Sequence, residues 1–223
     1  NNIPKDIQRK FYCAYIRIGL LISNEKAQSI SEIIPNDMKN DGEVAMLCMQ
    51  VKIEEEKVDI QSVLDLCIKN DQYWLFNNYL IKIANKAPKE AKELIDLHLF
   101  IIDKDPTIFL IYAQLVHRLE GTEKASELFR KYESKYGNYI EFWIDKLRID
   151  YTEEELSSAT ERWFNAKFQY LTRDGNLEFL RLLMLHKRYK DVLRGVLLAE
   201  NIDNLSCDFY KIKARALLYT LSL

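Results

Sequence analysis

Residues 109–151 read FLIYAQLVHRLEGTEKASELFRKYESKYGNYIEFWIDKLRIDY. Phe109, Tyr112, Ala113 and Val116 fall at i, i+3, i+4 and i+7, one apolar stripe of a helix. After Gly121 a second helical pattern begins, and Ala125, Leu128, Phe129 and Tyr132 form its stripe. Gly137 closes that helix, and Trp143 opens a third apolar pattern 34 residues after Phe109. The same beat runs outward in both directions. Bulky residues recur at Trp74, Phe109, Trp143, Leu177 and Tyr210, in steps of 35, 34, 34 and 33. Small or β-branched residues recur at Ala91, Ala125, Ala159 and Val192, in steps of 34, 34 and 33. A bulky anchor on one helix and a small residue about 16 positions later is what a helix hairpin requires. The small side chain admits the partner helix and the bulky one fills the space between hairpins.

Working outward, the pattern predicts helices over 4–22, 24–34, 43–55, 58–69, 72–86, 88–103, 106–119, 122–136, 139–150, 153–172, 174–187, 189–200 and 204–221, and no strand. Pro88 and Pro106 stand at helix starts, where a missing N–H costs least, with Asp105 and Thr107 as candidate caps. The expected fold is all-α: an α-solenoid of about six helix hairpins plus one extra C-terminal helix, since a lone hairpin cannot bury its apolar face. The domain reading is a single helical-repeat array over 1–223, with irregular hairpins over 1–70 and regular repeats of about 34 residues over 71–223. A polar loop at 35–42 is the candidate hinge. The rival is an ordinary helical bundle with accidental spacing. The chain opens on Asn1 rather than Met, which reads as a fragment of a longer protein.

Composition agrees. The 223 residues are 48% hydrophobic and 30% charged with a net charge of −2, too apolar and balanced for disorder. Only 6 Gly and 4 Pro are present, too few for the corners of a β-sandwich or barrel. Near-neutrality gives no whole-molecule attraction to nucleic acid or anionic membrane. No signal peptide or 18-residue apolar run is visible. Cys13, Cys48, Cys67 and Cys207 form no C-x-x-C pair and His98, His117 and His186 are scattered, so the thiols read as reduced, mostly buried and intracellular, with no metal site. The glycines build no phosphate-cradling loop and no serine elbow is present. The expectation is no enzyme, no cofactor, no small-molecule ligand and no membrane contact.

The acidic runs Glu54–Glu56 and Glu153–Glu155 read as solvated helix ends, the second beginning after a capping Thr152. Basic residues thicken toward the end, with 8 against 6 acidic over 174–223. Lys187, Arg188, Lys190, Arg194, Lys211 and Arg215 are the candidate partner or RNA contacts, acting through charge. Trp74, Trp143, Trp163, Phe129 and Phe164 read as core between hairpins, while Tyr136, Tyr139 and Tyr170 lie off the register and are candidates for lining a groove.

The F-x-x-Y opening at Phe109, the A-x-x-L-F-R-K-Y-E run from Ala125 and the F-W-I-D-K-L opening at Phe142 resemble consecutive units of the HAT (half-a-TPR) repeat family. The tetratricopeptide pattern proper, with a small residue four after the anchor, is met by Phe109 with Ala113 but not by Trp74, followed by Asn78, or Trp143, followed by Leu147. Within the HAT family, segments 42–68 and 127–171 are similar to the C-terminal HAT region found in the small-subunit processome, the particle formed on the U-three small nucleolar RNA. The resemblance implies a non-catalytic scaffold for pre-ribosomal RNA processing and small ribosomal subunit biogenesis. It implies β-propeller proteins among the partner subunits, and a nuclear, nucleolar location. The alternatives are a HAT scaffold of splicing or messenger-RNA 3′-end cleavage, a general TPR-like adaptor and, from the enzymes, the α subunit of a protein prenyltransferase.

Overall fold

The computed structural model describes residues 3–54, 58–165, 173–200 and 207–221. Among them are fourteen α-helices, one 3-10 turn and no strand. Two compact units divide the chain, Asn1–Ile108 and Phe109–Leu223.

In the first unit, α1 (Lys5–Ile22) and α2 (Asn24–Ile33) form a hairpin whose turn is capped by Ser23, its Oγ accepting from the Lys26 N–H at 3.1 Å. Gly19 makes the close approach: a Cβ there would lie 2.8 Å from Ile30 Cδ1 and 2.9 Å from Ala27 Cα. The region expected as a polar hinge, 35–42, instead contains a short helix, α3 (Asn36–Lys39), whose Met38 is buried in the core. The polar letters of that segment concealed one apolar residue that ties it down. Helix α4 (Gly42–Glu54) is the central element of the unit, packed against α1, α2, α3, α5 (Ile60–Asn70) and α6 (Trp74–Lys86). Six of its residues are buried, from Val44 to Ile53. Asp59 caps α5, and Asp71 ends it in the left-handed conformation at φ 48. Helix α7 (Pro88–Leu97) takes its proline in the first turn. The single helix expected over 88–103 breaks at His98 into a 3-10 turn, Leu99–Asp103. Within this turn both Ile101 and Ile102 are buried.

Helix α8 (Pro106–Glu120) is capped by Asp105, whose Oδ1 accepts from the Thr107 N–H at 2.7 Å. Gly121, at φ 99, supplies the turn into α9 (Thr122–Tyr136). In the second unit Phe109, Phe129, Tyr132, Tyr136 and Phe142 pack as one aromatic cluster with Phe109 at its centre, its ring 5.0–5.7 Å from each of the others. Helix α10 (Ile140–Ile149) packs on α9, α11 (Glu153–Phe164) and α12 (Arg173–Leu185). In turn α12 packs on α13 (Tyr189–Glu200) and α14 (Cys207–Leu221). The helix expected over 153–172 ends at Phe164 with Asn165 as its C-cap, and 166–172 lie outside the described residues.

Polar side chains tie alternate helices together within each unit. In the first, Asn78 of α6 donates to Gln50 of α4 at 3.2 Å, Lys82 pairs with Glu54, and Asn77 donates to Asp105 at 3.1 Å. In the second, Gln114 of α8 donates to Asp145 of α10 at 2.7 Å, Arg148 of α10 pairs with Glu178 of α12 at 2.6 Å, and Arg181 of α12 meets Asp208 of α14 at 3.7 Å. Every pair is separated by 27–31 residues in sequence.

The small residues Ala91, Ala125, Ala159 and Val192 are all fully buried. The bulky register is met in part. Phe109 and Trp143 are buried, Trp74 and Leu177 are half-buried, and Tyr210 is exposed while its neighbour Phe209 is buried. The deepest ring positions are Phe76, Phe109, Phe129, Phe142, Phe179 and Phe209. At Phe209–Tyr210 the phenylalanine, which has no polar handle, takes the inside position and the tyrosine keeps its hydroxyl toward water.

Candidate partner-binding groove

Six basic residues near the end of the chain stood out in sequence, and the structure sorts them. Helix α12 ends in a tight turn in which the Arg188 N–H bonds the Leu183 carbonyl at 2.9 Å and the Lys187 N–H bonds that of Met184 at 3.1 Å. This is the Schellman arrangement, and its left-handed position is occupied by Lys187 at φ 58, where glycine is usual. The turn projects Lys187 into a groove of about 940 Å³ between α12 and α14. Lys211 and Arg215, one turn apart on α14, line the same groove, as do Arg181 and Asp208. Four basic side chains against one carboxylate leave it positive. Met184 and Ile212 add apolar lining, and Leu185 and Leu218, both largely exposed, stand beside them. Tyr189 and Tyr219 stack on each other with centroids 5.0 Å apart among the same lining residues.

The other three basic residues do other things. Arg188 is held inside the protein's own ion pairs, with Asp191 and Glu153 at 2.6 Å each and Ser157 at 3.0 Å. Arg194 lies over the Phe164 ring at 4.1 Å, a cation–π contact. Lys190 is exposed and lines a neighbouring concavity with Lys187, Arg188 and Thr220. Sequence reasoning missed Arg181, Asp208, Tyr189 and Tyr219. The available signal was on α14, where positions 208, 211, 215 and 218 repeat at three and four and so share one face.

Tyr136, a candidate groove residue, is buried in the aromatic cluster, and Tyr139 is half-buried against it at 6.1 Å. Tyr170 lies outside the described residues. Trp143 is core: its Nε1 donates to the Gly137 carbonyl at 2.8 Å, and Arg162 Nη2 donates to that same oxygen at 2.7 Å. Beneath it Lys146 is buried and pairs with Glu155, with Glu133 at 3.9 Å. Of the acidic runs, Glu153–Glu155 do begin α11 behind the capping Thr152, whose Oγ1 accepts from the Glu155 N–H at 3.2 Å. Glu55 and Glu56 lie outside the described residues.

Burial pushes the Cys13 and Cys67 thiols up to about 11, well away from thiolate reactivity, and Cys207 alone is exposed. His186 stacks face to face on Tyr151 at 3.9 Å, and burial holds its pKa below the ordinary range against the opposing charge of Glu153. Among the described residues no three His, Cys, Asp or Glu side chains come together as metal ligands, and no helix is long and apolar enough to cross a membrane. No family model, curated protein or solved structure matches this chain.

Proposed function

We propose that the chain is a non-catalytic protein-interaction scaffold, an α-solenoid of TPR/HAT-like hairpins. It would work in an RNA-processing assembly, with pre-ribosomal RNA processing and small-subunit biogenesis in the nucleolus as its setting. The observation that carries the scaffold reading is the set of polar ties between alternate helices at 27–31 residues. Stacked hairpins bring each helix against the next but one, and these ties join helices in that way. The setting rests on the likeness of 42–68 and 127–171 to HAT units.

The groove between α12 and α14 is the surface that receives a partner. Its charge favours carboxylates, and its Met, Ile and Leu lining favours an apolar side chain between them, a mixture that suits a protein segment better than a phosphate backbone. The test is affinity purification of the 223-residue chain from nucleolar extract beside a Lys187→Glu/Lys211→Glu/Arg215→Glu variant. The expected result is recovery of small-subunit assembly proteins by the parent chain and at least a ten-fold loss of them by the variant. Recovery of none refutes the setting, and equal recovery refutes the groove. RNA retained after nuclease-free washing and released steeply by salt assigns the groove to nucleic acid instead.

A further inference from the structure

Helix α1 has two apolar faces. One, with Cys13, Ile16 and Gly19, is buried in the core of the first unit. The other lies on the opposite side of the helix. Ile7, Phe11, Ala14, Ile18 and Leu21 follow one another at spacings of 4, 3, 4 and 3, and all are exposed, from 52% for Ile7 and Ile18 to 85% for Leu21. Ile22 extends the stripe at the same end. Side by side these residues leave on the order of 500 Å² of apolar surface open to water, a size at which exposed patches are functional. A surface helix whose only task is to cover a core carries polar residues there.

The spacing states what fits. Alternation of three and four is a 3.5-residue repeat, the seam along which a second helix lies by setting its side chains between those of the first. Phe11 is steadied for this by Tyr12 and Tyr15, their ring centroids 5.4 and 5.7 Å away. Ala14, between Phe11 and Ile18, leaves a notch for one bulky side chain. The flanks state the charge. Lys10 and Arg17 run along one edge of the stripe, with Gln8 and Tyr15 along the other. Arg17 is shared with Glu43 at 3.0 Å, and Lys10 is exposed. A second copy docked antiparallel about a two-fold axis near Ala14 would set Lys10 against Arg17 of that copy, like charge on like.

We propose that the outer stripe of α1 is a docking seam for one amphipathic helix of a partner protein, with apolar residues at the same 3–4 spacing and carboxylates along the edge that meets Lys10 and Arg17. This surface belongs to the first unit and is separate from the groove described above.

The test uses the full 223-residue chain and two fluorescein-labelled 21-residue amphipathic peptides. Both carry Leu at 3–4 spacing; one has Glu and the other Lys at the flanking positions. The readout is fluorescence anisotropy. The acidic peptide is expected to bind at least ten-fold more tightly than the basic one. Ile18→Asp should weaken it at least ten-fold, and Lys10→Glu should narrow or invert the preference. Both substitutions are at exposed positions, and unchanged thermal unfolding shows that each variant is folded. Equal affinity for the two peptides, no binding of either, or full binding to the Ile18→Asp variant overturns the proposal. Sedimentation showing a dimer that Ile18→Asp dissociates assigns the seam to a second copy and overturns it. Uptake by phosphatidylcholine–phosphatidylserine vesicles that Ile18→Asp abolishes, without peptide preference, overturns it in favour of a lipid surface. Ile18→Asp leaves binding that depends on Lys187, Lys211 and Arg215 intact, so failure here and failure of the groove are separate results.

Discussion

Gly195 on α13 lies closely packed against Trp163 of α11 and Leu180 of α12. A Cβ added there would lie 2.3 Å from Cη2 and 2.5 Å from Cζ3 of Trp163, and 3.1 Å from Leu180 Cδ2. Ordinary carbon contacts are about 3.5–4.0 Å, so Gly195→Ala requires the ring to withdraw by more than about 1 Å. The ring is not free to do so. Its Nε1 donates to Asn176 Oδ1 at 2.8 Å, and Phe179 abuts it at 5.1 Å. Overpacking of this kind costs about 1–3 kcal/mol. Losing or stretching the indole hydrogen bond adds about 1 kcal/mol. Against both stands a gain of about 1 kcal/mol from replacing glycine by alanine inside a helix. The balance is a destabilisation of about 1–3 kcal/mol, or roughly 3–10 °C in Tm for a chain of this size. Thermal unfolding by circular dichroism measures the loss, and near-ultraviolet dichroism should change as Trp163 moves. In a Trp163→Phe background, where the outer ring is absent, Gly195→Ala should be nearly neutral or stabilising, a coupling that a double-mutant cycle reads directly. An alanine variant that melts higher than the parent, with Trp163 undisturbed, would refute the claim that α13 approaches α11 and α12 only because residue 195 has no side chain.

Lys187→Gly should raise Tm by about 1–3 °C, since relief of the left-handed backbone, about 1–2 kcal/mol, is partly offset by the entropy of an unfolded glycine, while binding in the α12–α14 groove weakens several-fold. Glu155→Ala leaves buried Lys146 with only Glu133 at 3.9 Å and should cost about 1–3 kcal/mol in urea unfolding, less than a fully buried pair because Glu155 is one-third exposed; Lys146→Met in the same background should recover most of it. Because burial lowers the folded-state pKa of His186, the unfolded chain takes up its proton more readily. The contribution of His186 is therefore complete above the ordinary histidine value of about 6.5 and is lost as pH falls from there toward the lowered value, so Tm should drop between pH 7 and 5 and His186→Gln should flatten that part of the profile.

How much of this was legible in the sequence depended on what each residue's position was set by. Ala91, Ala125, Ala159 and Val192 are fully buried, and their burial was legible because each lies on the apolar stripe of an amphipathic helix. In the bulky series Phe109 and Trp143 are buried, whereas Tyr210 is exposed and its neighbour Phe209 lies inside, because tyrosine keeps its hydroxyl toward water. Met38 and the pair Ile101–Ile102 broke their segments' apparent pattern because tertiary packing, not local periodicity, placed them inside. At the groove, charge alone could not separate Lys187 from Arg188. Their fates differ because Glu153, 35 residues earlier, reaches Arg188 and not Lys187.

The polar ties between alternate helices contribute less to stability than to alignment. Arg148, Glu178, Arg181 and Asp208 are each one-third to one-half exposed, and pairs of that kind contribute under about 1 kcal/mol. Cohesion comes from the phenylalanines and the fully buried small residues, which tolerate a sliding helix better than a paired charge does. A slip of one turn between α12 and α14 would keep apolar surface against apolar surface but would part Arg181 from Asp208 and carry Lys211 and Arg215 about 5 Å along the groove relative to Lys187. Weak polar contacts thus fix the register in which the three groove cations face one another, and the same logic applies in the first unit, where Gln50–Asn78 and Glu54–Lys82 fix α6 against α4. These contacts therefore hold the surface groups of neighbouring helices in fixed relative positions while adding little to stability.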